Sequence, residues 1–275
     1  MSEEVPAWSR DDAAAAYVDA MRGILTVAQD LDHDEWHRPT DLPGWAVFDV
    51  VAHVAATEDE LAGRGVPSPI HDWSLFPHVS SPFQQYTEVG VEARRHLTPG
   101  ELIDELAGLV DERGQQLAHA PEAAYAEMRG PAGMVERVSR VMANRTFDIW
   151  AHEQDVRRAT GRSTRMSGPA AAAAQARMIE ALPYVVARQA GAPAGSVVAW
   201  NITGEPDTTA TIQVDRNRRG QFTNGTARPD AVLTLTLESL QLLMCGRRPY
   251  ASVAVDVHGD ADLGERVISA LVVTP

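Results

Sequence analysis

From Ser9 to about Leu31, Tyr17, Met21, Ile24, Leu25 and Ala28 recur at three- and four-residue spacing, which predicts an amphipathic helix. Ser9 is placed to cap it, and Asp11 and Asp12 complement the positive end of its dipole. After the polar run DHDEWHRPTDLPG, Val47, Val50, Val51, Val54 and Leu61 predict a second helix over about Ala46–Ala62. Residues 64–97 keep no sustained period and are rich in Pro, Ser, His and aromatics. They predict a long excursion with one helix near Gln84–Arg95, of the kind that often serves as a functional lid. Thr98, Pro99 and Glu101 then spell a helix start: a cap, a proline in the first turn and the glutamate of a capping box. A fourth helix is expected from about Met134 to Thr160, stopped at Gly161. Four helices with one long excursion make a helical bundle.

The texture changes after a Ser/Thr/Gly linker at Arg162–Gly168. An alanine-rich helix is expected from Pro169 to about Ala190. Then SVVAWNIT, TTATIQVD and AVLTLTL alternate and are rich in Val, Thr and Ile, so they predict strands, with turn chemistry in DRNRRGQF and NGTARPD between them. A short helix (ESLQLLMCG), a last strand (SVAVDVHG) and a final helix (DADLGERVISAL) complete the chain. The fold class expected is therefore a two-domain α+β chain. Residues 1–165 form a four-helix bundle, and residues 166–275 a small α+β domain with a leading linker helix.

Composition narrows the partners. With 44% hydrophobic and 23% charged residues, the 275-residue chain is of ordinary globular type and long enough for two modest cores. A net charge of -14 leaves no basic surface for phosphates, so nucleic acid is excluded, and anionic membranes are disfavoured. A small-molecule ligand or a protein partner is the better expectation, in a monomer or homodimer. All 24 basic residues are arginine, which removes Schiff-base, pyridoxal-phosphate and phosphate-loop lysine chemistry. Missing lysine and abundant alanine suggest a high-GC, actinobacterial coding bias. One cysteine, Cys245, an N-terminus unlike a signal peptide and no apolar run of about 20 residues lead us to expect a soluble cytoplasmic protein. Cys245 follows Leu242, Leu243 and Met244 and reads as a buried structural thiol.

One candidate constellation stands out. Asp148 and His152 are four residues apart on the expected fourth helix and so share a face, and His53 falls in the middle of the Val/Ala-lined second helix. Facing one another in a bundle, two imidazoles and a carboxylate would bind one divalent cation and leave a coordination position open. That set suits catalytic zinc, and nickel or iron less well. Spacing by itself keeps a second reading open, a satisfied core histidine beside a surface acid–base pair. Asn144, one turn before Asp148, would share the inward face and contact ligand. Asp155 either accepts a hydrogen bond from a ligand imidazole or pairs with Arg158 or Arg162. Trp45 reads as a staple between loop and bundle. His33, His37, His71, His78 and His96 show no ligand spacing, although the His71–His78 segment is placed to border a pocket.

Two segments resemble a known family. LPGWAVFDVVAHVAATEDEL, with Pro43, Gly44 and Trp45 before a helix carrying His53, resembles the second-helix signature of the mycothiol-dependent maleylpyruvate isomerase family, a branch of the DinB-like metal-binding four-helix bundles. RTFDIWAHEQDVRRATGR is similar to its fourth-helix signature, an acid four residues before a histidine and an aspartate three after: Asp148, His152 and Asp155. The family more usually has glutamate at the position of Asp148. LLMCGRRPYASVAVDVHGD is more loosely similar to the end of the family's C-terminal domain, a sterol-carrier-like α+β unit, at Gly246, Arg247, Gly259 and Asp260.

The resemblance implies an enzyme with mycothiol as cosubstrate. The open metal position would hold the mycothiol sulfur as a thiolate, which attacks a small electrophile. Release after rotation about a double bond is isomerisation, and retention of the adduct is S-transfer. Arg247 is the candidate grip for an anionic substrate group. Two other classes compete: a non-catalytic, metal-containing binding module for a small ligand or protein partner, and a metal hydrolase acting through bound water. Three protein ligands with an open position favour the enzyme over a structural site, which is normally closed by four.

Overall fold

A computed structural model describes residues 9–119, 128–133, 135–223 and 228–274. The chain divides into two compact units, one of Ser9–Arg165 and one built on Met166–Pro275.

In the first unit, helices α1 (Arg10–Gln29), α2 (Val47–Asp59), α4 (Pro99–His119) and α5 (Val138–Ala159) pack as a bundle. Both α1 and α2 lie against α4 and α5, and α3 (Pro82–Glu92) lies on α2. The caps are those the sequence announces. Ser9 Oγ accepts the Asp12 N–H at 3.1 Å. Thr98 and Glu101 cap reciprocally, Glu101 Oε2 accepting the Thr98 N–H at 2.7 Å and Thr98 Oγ1 the Glu101 N–H at 3.3 Å. Tyr17, Met21 and Ile24 of α1 are buried with Leu102, Leu106 and Leu109 of α4 and Ile149 and Trp150 of α5.

Two helix starts differ from the sequence reading. The helix of the excursion starts at Pro82, because Ser81 and Gln84 form a capping box two residues earlier than expected. The fourth bundle helix starts at Val138 rather than near Met134, which itself lies outside the described residues. Val135–Glu136 (β2) instead pairs antiparallel with Met128–Arg129 (β1), across a turn where Gly133 takes φ +72°. A Gly–Pro–Ala–Gly sequence (130–133) favours that turn over another helical start.

The second unit begins with α6 (Pro169–Ile179), shorter than the helix expected to reach Ala190. Pro183 has no N–H for the Ile179 carbonyl, so the chain breaks there and resumes as a short turn, α7 (Leu182–Tyr184), and a wider one to Gln189. A five-stranded sheet follows in the order β5-β4-β3-β6-β7. Its strands are β3 (Val197–Thr203), β4 (Thr208–Val214), β5 (Gly220–Phe222), β6 (Ala231–Thr236) and β7 (Asp256–Gly259). All pairs are antiparallel except central β3 and β6. Alternation places Trp200, Ile202, Ile212, Val214, Leu233 and Leu235 in the core, with Leu240 and Leu243 of α8 (Leu237–Met244) and Leu263 and Val267 of α9 (Ala261–Ser269). The stretch expected only as a turn, DRNRRGQF, carries β5, and the last strand is confined to Asp256–Gly259. Part of NGTARPD, residues 224–227, lies outside the described residues. Among the described residues no helix is long and apolar enough to cross a membrane. Cys245 is buried, as expected.

Candidate metal centre

The centre grows out of one polar stripe on α5 and one histidine of α2. Arg145, Asp148, His152 and Asp155 follow one another at three- and four-residue intervals, so all four side chains rise from a single face. That face meets α2, where His53 is buried among Val50, Val54 and Ala52. His53 Nε2 lies 3.4 Å from Asp148 Oδ2, and His152 Nε2 lies 3.6 Å from Asp148 Oδ1. The two imidazole centroids are 4.9 Å apart. One donor atom from each residue falls within 4.8 Å of the other two. With bonds of about 2.0–2.1 Å, neighbouring donors around a tetrahedral zinc stand about 3.3 Å apart. The donor set therefore fits a single divalent cation in type and in spacing.

Each donor is prepared by a neighbour. His152 Nδ1 lies 3.1 Å from Asp155 Oδ2, a carboxylate that accepts a proton held on Nδ1 and so favours Nε2 as the nitrogen offered to a cation. Asp155 also accepts from Arg158 Nη2 at 2.6 Å, so the two roles weighed for it are filled together. Burial pushes the His53 imidazole below its ordinary pKa against the opposing pull of Asp148, which favours the neutral ring that a metal ligand requires. For Asp148 burial opposes ionisation. Arg145, then His152 and His53, outweigh it and hold the carboxyl well below the usual range. The Asp148 side chain is 35% exposed, the most open of the three.

Trp45 forms one wall. Its ring lies 5.2 Å from that of His53 and 6.3 Å from that of His152, and its indole N–H donates to Glu88 Oε2 at 2.8 Å. The same oxygen meets His78 Nε2 at 3.0 Å, and Arg95 Nη2 stands 2.7 Å from Glu88 Oε1. Gly44 takes φ +81°, and a Cβ there would stand 2.3 Å from the His78 ring. The Pro43–Gly44–Trp45 turn thus clears a seat for His78 while turning the indole onto the two histidines. Trp45 does more than staple a loop. His78 packs at Gly44 and meets Glu88, the acceptor of the Trp45 indole, whereas His71 is exposed.

Behind Asp148 runs a buried ionic row that sequence reasoning missed. Arg145 Nη1 donates to Asp148 Oδ2 at 2.6 Å, and its Nε to Glu58 Oε1 at 2.9 Å. Glu58 also accepts from the Tyr17 hydroxyl and, at 3.3 Å, from Arg113 Nε. Burial, reinforced by Glu58, keeps the Tyr17 phenol protonated far above its ordinary pKa. The available signal was Glu58 on the Val/Ala face of α2 and Arg145 in phase with Asp148.

Of the other expected contacts, Asn144 sits half-buried one turn before Asp148. Arg247 belongs to the second unit, where it follows α8, is partly exposed and donates from Nη1 to the Cys245 carbonyl at 2.6 Å. Arg162 turns away from Asp155 to Glu35, 2.9 Å away.

Comparisons with known proteins agree with this architecture. The family description "mycothiol maleylpyruvate isomerase N-terminal domain" matches residues 17–157, and "MDMPI C-terminal domain" matches residues 170–266. A crystal structure of the mycothiol-dependent maleylpyruvate isomerase aligns with 91% of this chain and 93% of its own, at TM-score 0.55 and 16% identity. A histidine-to-alanine mutant of that enzyme aligns with 90% of this chain and 93% of its own, at TM-score 0.56 and 15% identity. Sterol carrier protein 2 from Yarrowia lipolytica covers 35% of this chain and 88% of its own, at 16% identity and a TM-score of 0.27, too low to establish a common fold. No curated protein matches. Two consecutive domain matches spanning most of the sequence decide the affiliation: the chain belongs to the mycothiol maleylpyruvate isomerase family.

Proposed function

We propose that the chain is a divalent-metal-dependent enzyme that uses mycothiol as cosubstrate against a small electrophile, by maleylpyruvate-type isomerisation or S-transfer. The observation that carries this reading is the convergence of His53, Asp148 and His152, three donors for a cation that takes four in tetrahedral coordination. A bound cation supplies Lewis acidity there, keeping deprotonated a thiol that at a free pKa of about 8.5 would be mostly protonated at neutral pH. The protein's own residues do the rest. Burial keeps His53 neutral, Asp155 selects the His152 tautomer, and Trp45 shields one side of both rings from water. Zinc suits two nitrogens and one oxygen best, with nickel or iron as alternatives. Asn144 and Arg247 are proposed substrate contacts, Arg247 for a carboxylate.

Elemental analysis of wild type, His53→Ala and His152→Ala tests the centre. About one equivalent of metal in wild type and its loss in both variants is the expected result. Metal-free wild type from metal-replete medium would refute it. Mycothiol titrated into cobalt-substituted protein should produce a thiolate-to-metal charge-transfer band. A bound metal with no such band would favour the binding-module reading, or hydrolysis by bound water.

A further inference from the structure

The donor set and Asp155 leave unexplained the ionic row behind Asp148. Tyr17, Glu58, Arg113 and Arg145 come one each from α1, α2, α4 and α5, and none is more than 6% exposed. Burying two guanidinium groups and a carboxylate is a poor route to stability, because desolvation consumes most of the attraction and apolar residues would fill the same space. The seating of Arg145 shows where its hydrogen bonds are directed. A guanidinium placed for the best pairing with Glu58 would lay Nε and Nη2 across the carboxylate as a fork. Here only Nε reaches Glu58, Nη1 is turned to Asp148 Oδ2, and buried Nη2 has no hydrogen-bond partner among the described residues. The orphaned donor carries a free-energy cost that pairing with Glu58 alone would avoid. The group is thus set as a brace between two carboxylates.

We propose that Arg145 is a positioning residue for the metal centre, locking Asp148 in the orientation that faces both histidines, and that Glu58 orients Arg145 from behind. The oxygen Arg145 holds is the one nearest His53 Nε2, so the brace fixes the carboxylate against the α2 donor while its other oxygen faces His152. Tyr17 and Arg113 anchor Glu58 in turn. The positive charge of Arg145 also offsets the negative charge of Asp148, so the centre presents less negative charge to an incoming anionic ligand. This inference rests on the metal-centre reading.

The test compares wild type, Arg145→Lys, Glu58→Gln and Arg165→Gln. Cobalt(II) and zinc(II) affinities are measured by competition with a chromophoric chelator, alongside the visible spectrum of the cobalt form and thermal unfolding of metal-free protein. Arg145→Lys keeps the charge and loses the two-armed brace. It and Glu58→Gln are expected to weaken both metals by about 10–100-fold and to shift the cobalt bands. Arg165→Gln removes a partner of Glu153, a fully buried acid on another face of α5. It is expected to lower the unfolding temperature with affinity and spectrum unchanged. Wild-type affinities and spectra in Arg145→Lys and Glu58→Gln, or an equal loss in Arg165→Gln, would overturn the proposal by making the row purely structural. If Arg145→Lys does not fold, Glu58→Gln decides alone. Wild type that binds neither ion would instead overturn the metal centre itself.

Discussion

Which nitrogen of His152 can hold a cation is decided by its neighbour. With Nδ1 committed to Asp155, only Nε2 remains, and it faces Asp148. Asp155 is itself fully buried and shared with Arg158, whose Nε reaches Asp41 at 3.2 Å. Replacing Asp155 with alanine therefore leaves Arg158 an acceptor but frees the imidazole to rotate and change tautomer. Asp155→Ala is expected to weaken metal affinity by about 10–100-fold, read by chelator competition. Wild-type affinity in a folded Asp155→Ala protein would show that ring packing against Trp45 and His53 is enough to orient the imidazole, without Asp155.

At the scale of elements, the sequence was most legible where local chemistry and final structure agree. The Thr98–Pro99–Glu101 start, the Ser9 cap and the alternating strands survive packing unchanged. His53, Asp148 and His152 were legible because helical spacing alone puts two of them on one face. The pairing of Val135–Glu136 with Met128–Arg129 and the end of α6 at Ile179 depart from the sequence reading, which carries a helix through each place although Gly133 and Pro183 favour a turn. The brace from Arg145 to Glu58 was hidden because the two are 87 residues apart and meet only through the α2–α5 packing. Gly220 is a similar case. It read as turn chemistry, yet it is where β5 crosses the backbone of Pro183, and a Cβ there would stand 2.1 Å from the Pro183 carbonyl oxygen. No side-chain rotation relieves that collision, so α7 or β5 must move. Gly220→Ala is expected to cost about 1–3 kcal/mol, measured by urea unfolding of the C-terminal unit. A neutral or stabilising effect would mean that the approach is looser than drawn.

The whole molecule carries a charge of -14 with arginine as its only basic residue besides histidine, so repulsion among carboxylates is offset by where the guanidiniums are placed. In the N-terminal unit four of them stand close together in the chain at the end of α5 and just beyond: Arg157, Arg158, Arg162 and Arg165. Arg158 reaches Asp41, Arg162 reaches Glu35 and Arg165 reaches Asp19, pairs 117, 127 and 146 residues apart that tie the end of the unit to its beginning. Glu35 reports on this closure. The Arg162 side chain, followed by the Asp32 backbone N–H, lowers its pKa from 4.5 to about 2. A depressed folded-state value means that protonation favours the unfolded chain. The contribution of Glu35 is thus complete above its ordinary pKa and disappears as pH falls through about 2. Glu35→Gln removes that contribution at neutral pH and has nothing left to remove in strong acid. The stability gap between wild type and Glu35→Gln, from urea unfolding of the N-terminal unit, is expected to be constant from pH 7 to about 5 and to narrow steadily towards pH 2. A gap that stays level over the whole range would place the effect of the substitution in packing, and the closure of the unit would then owe nothing to this charge.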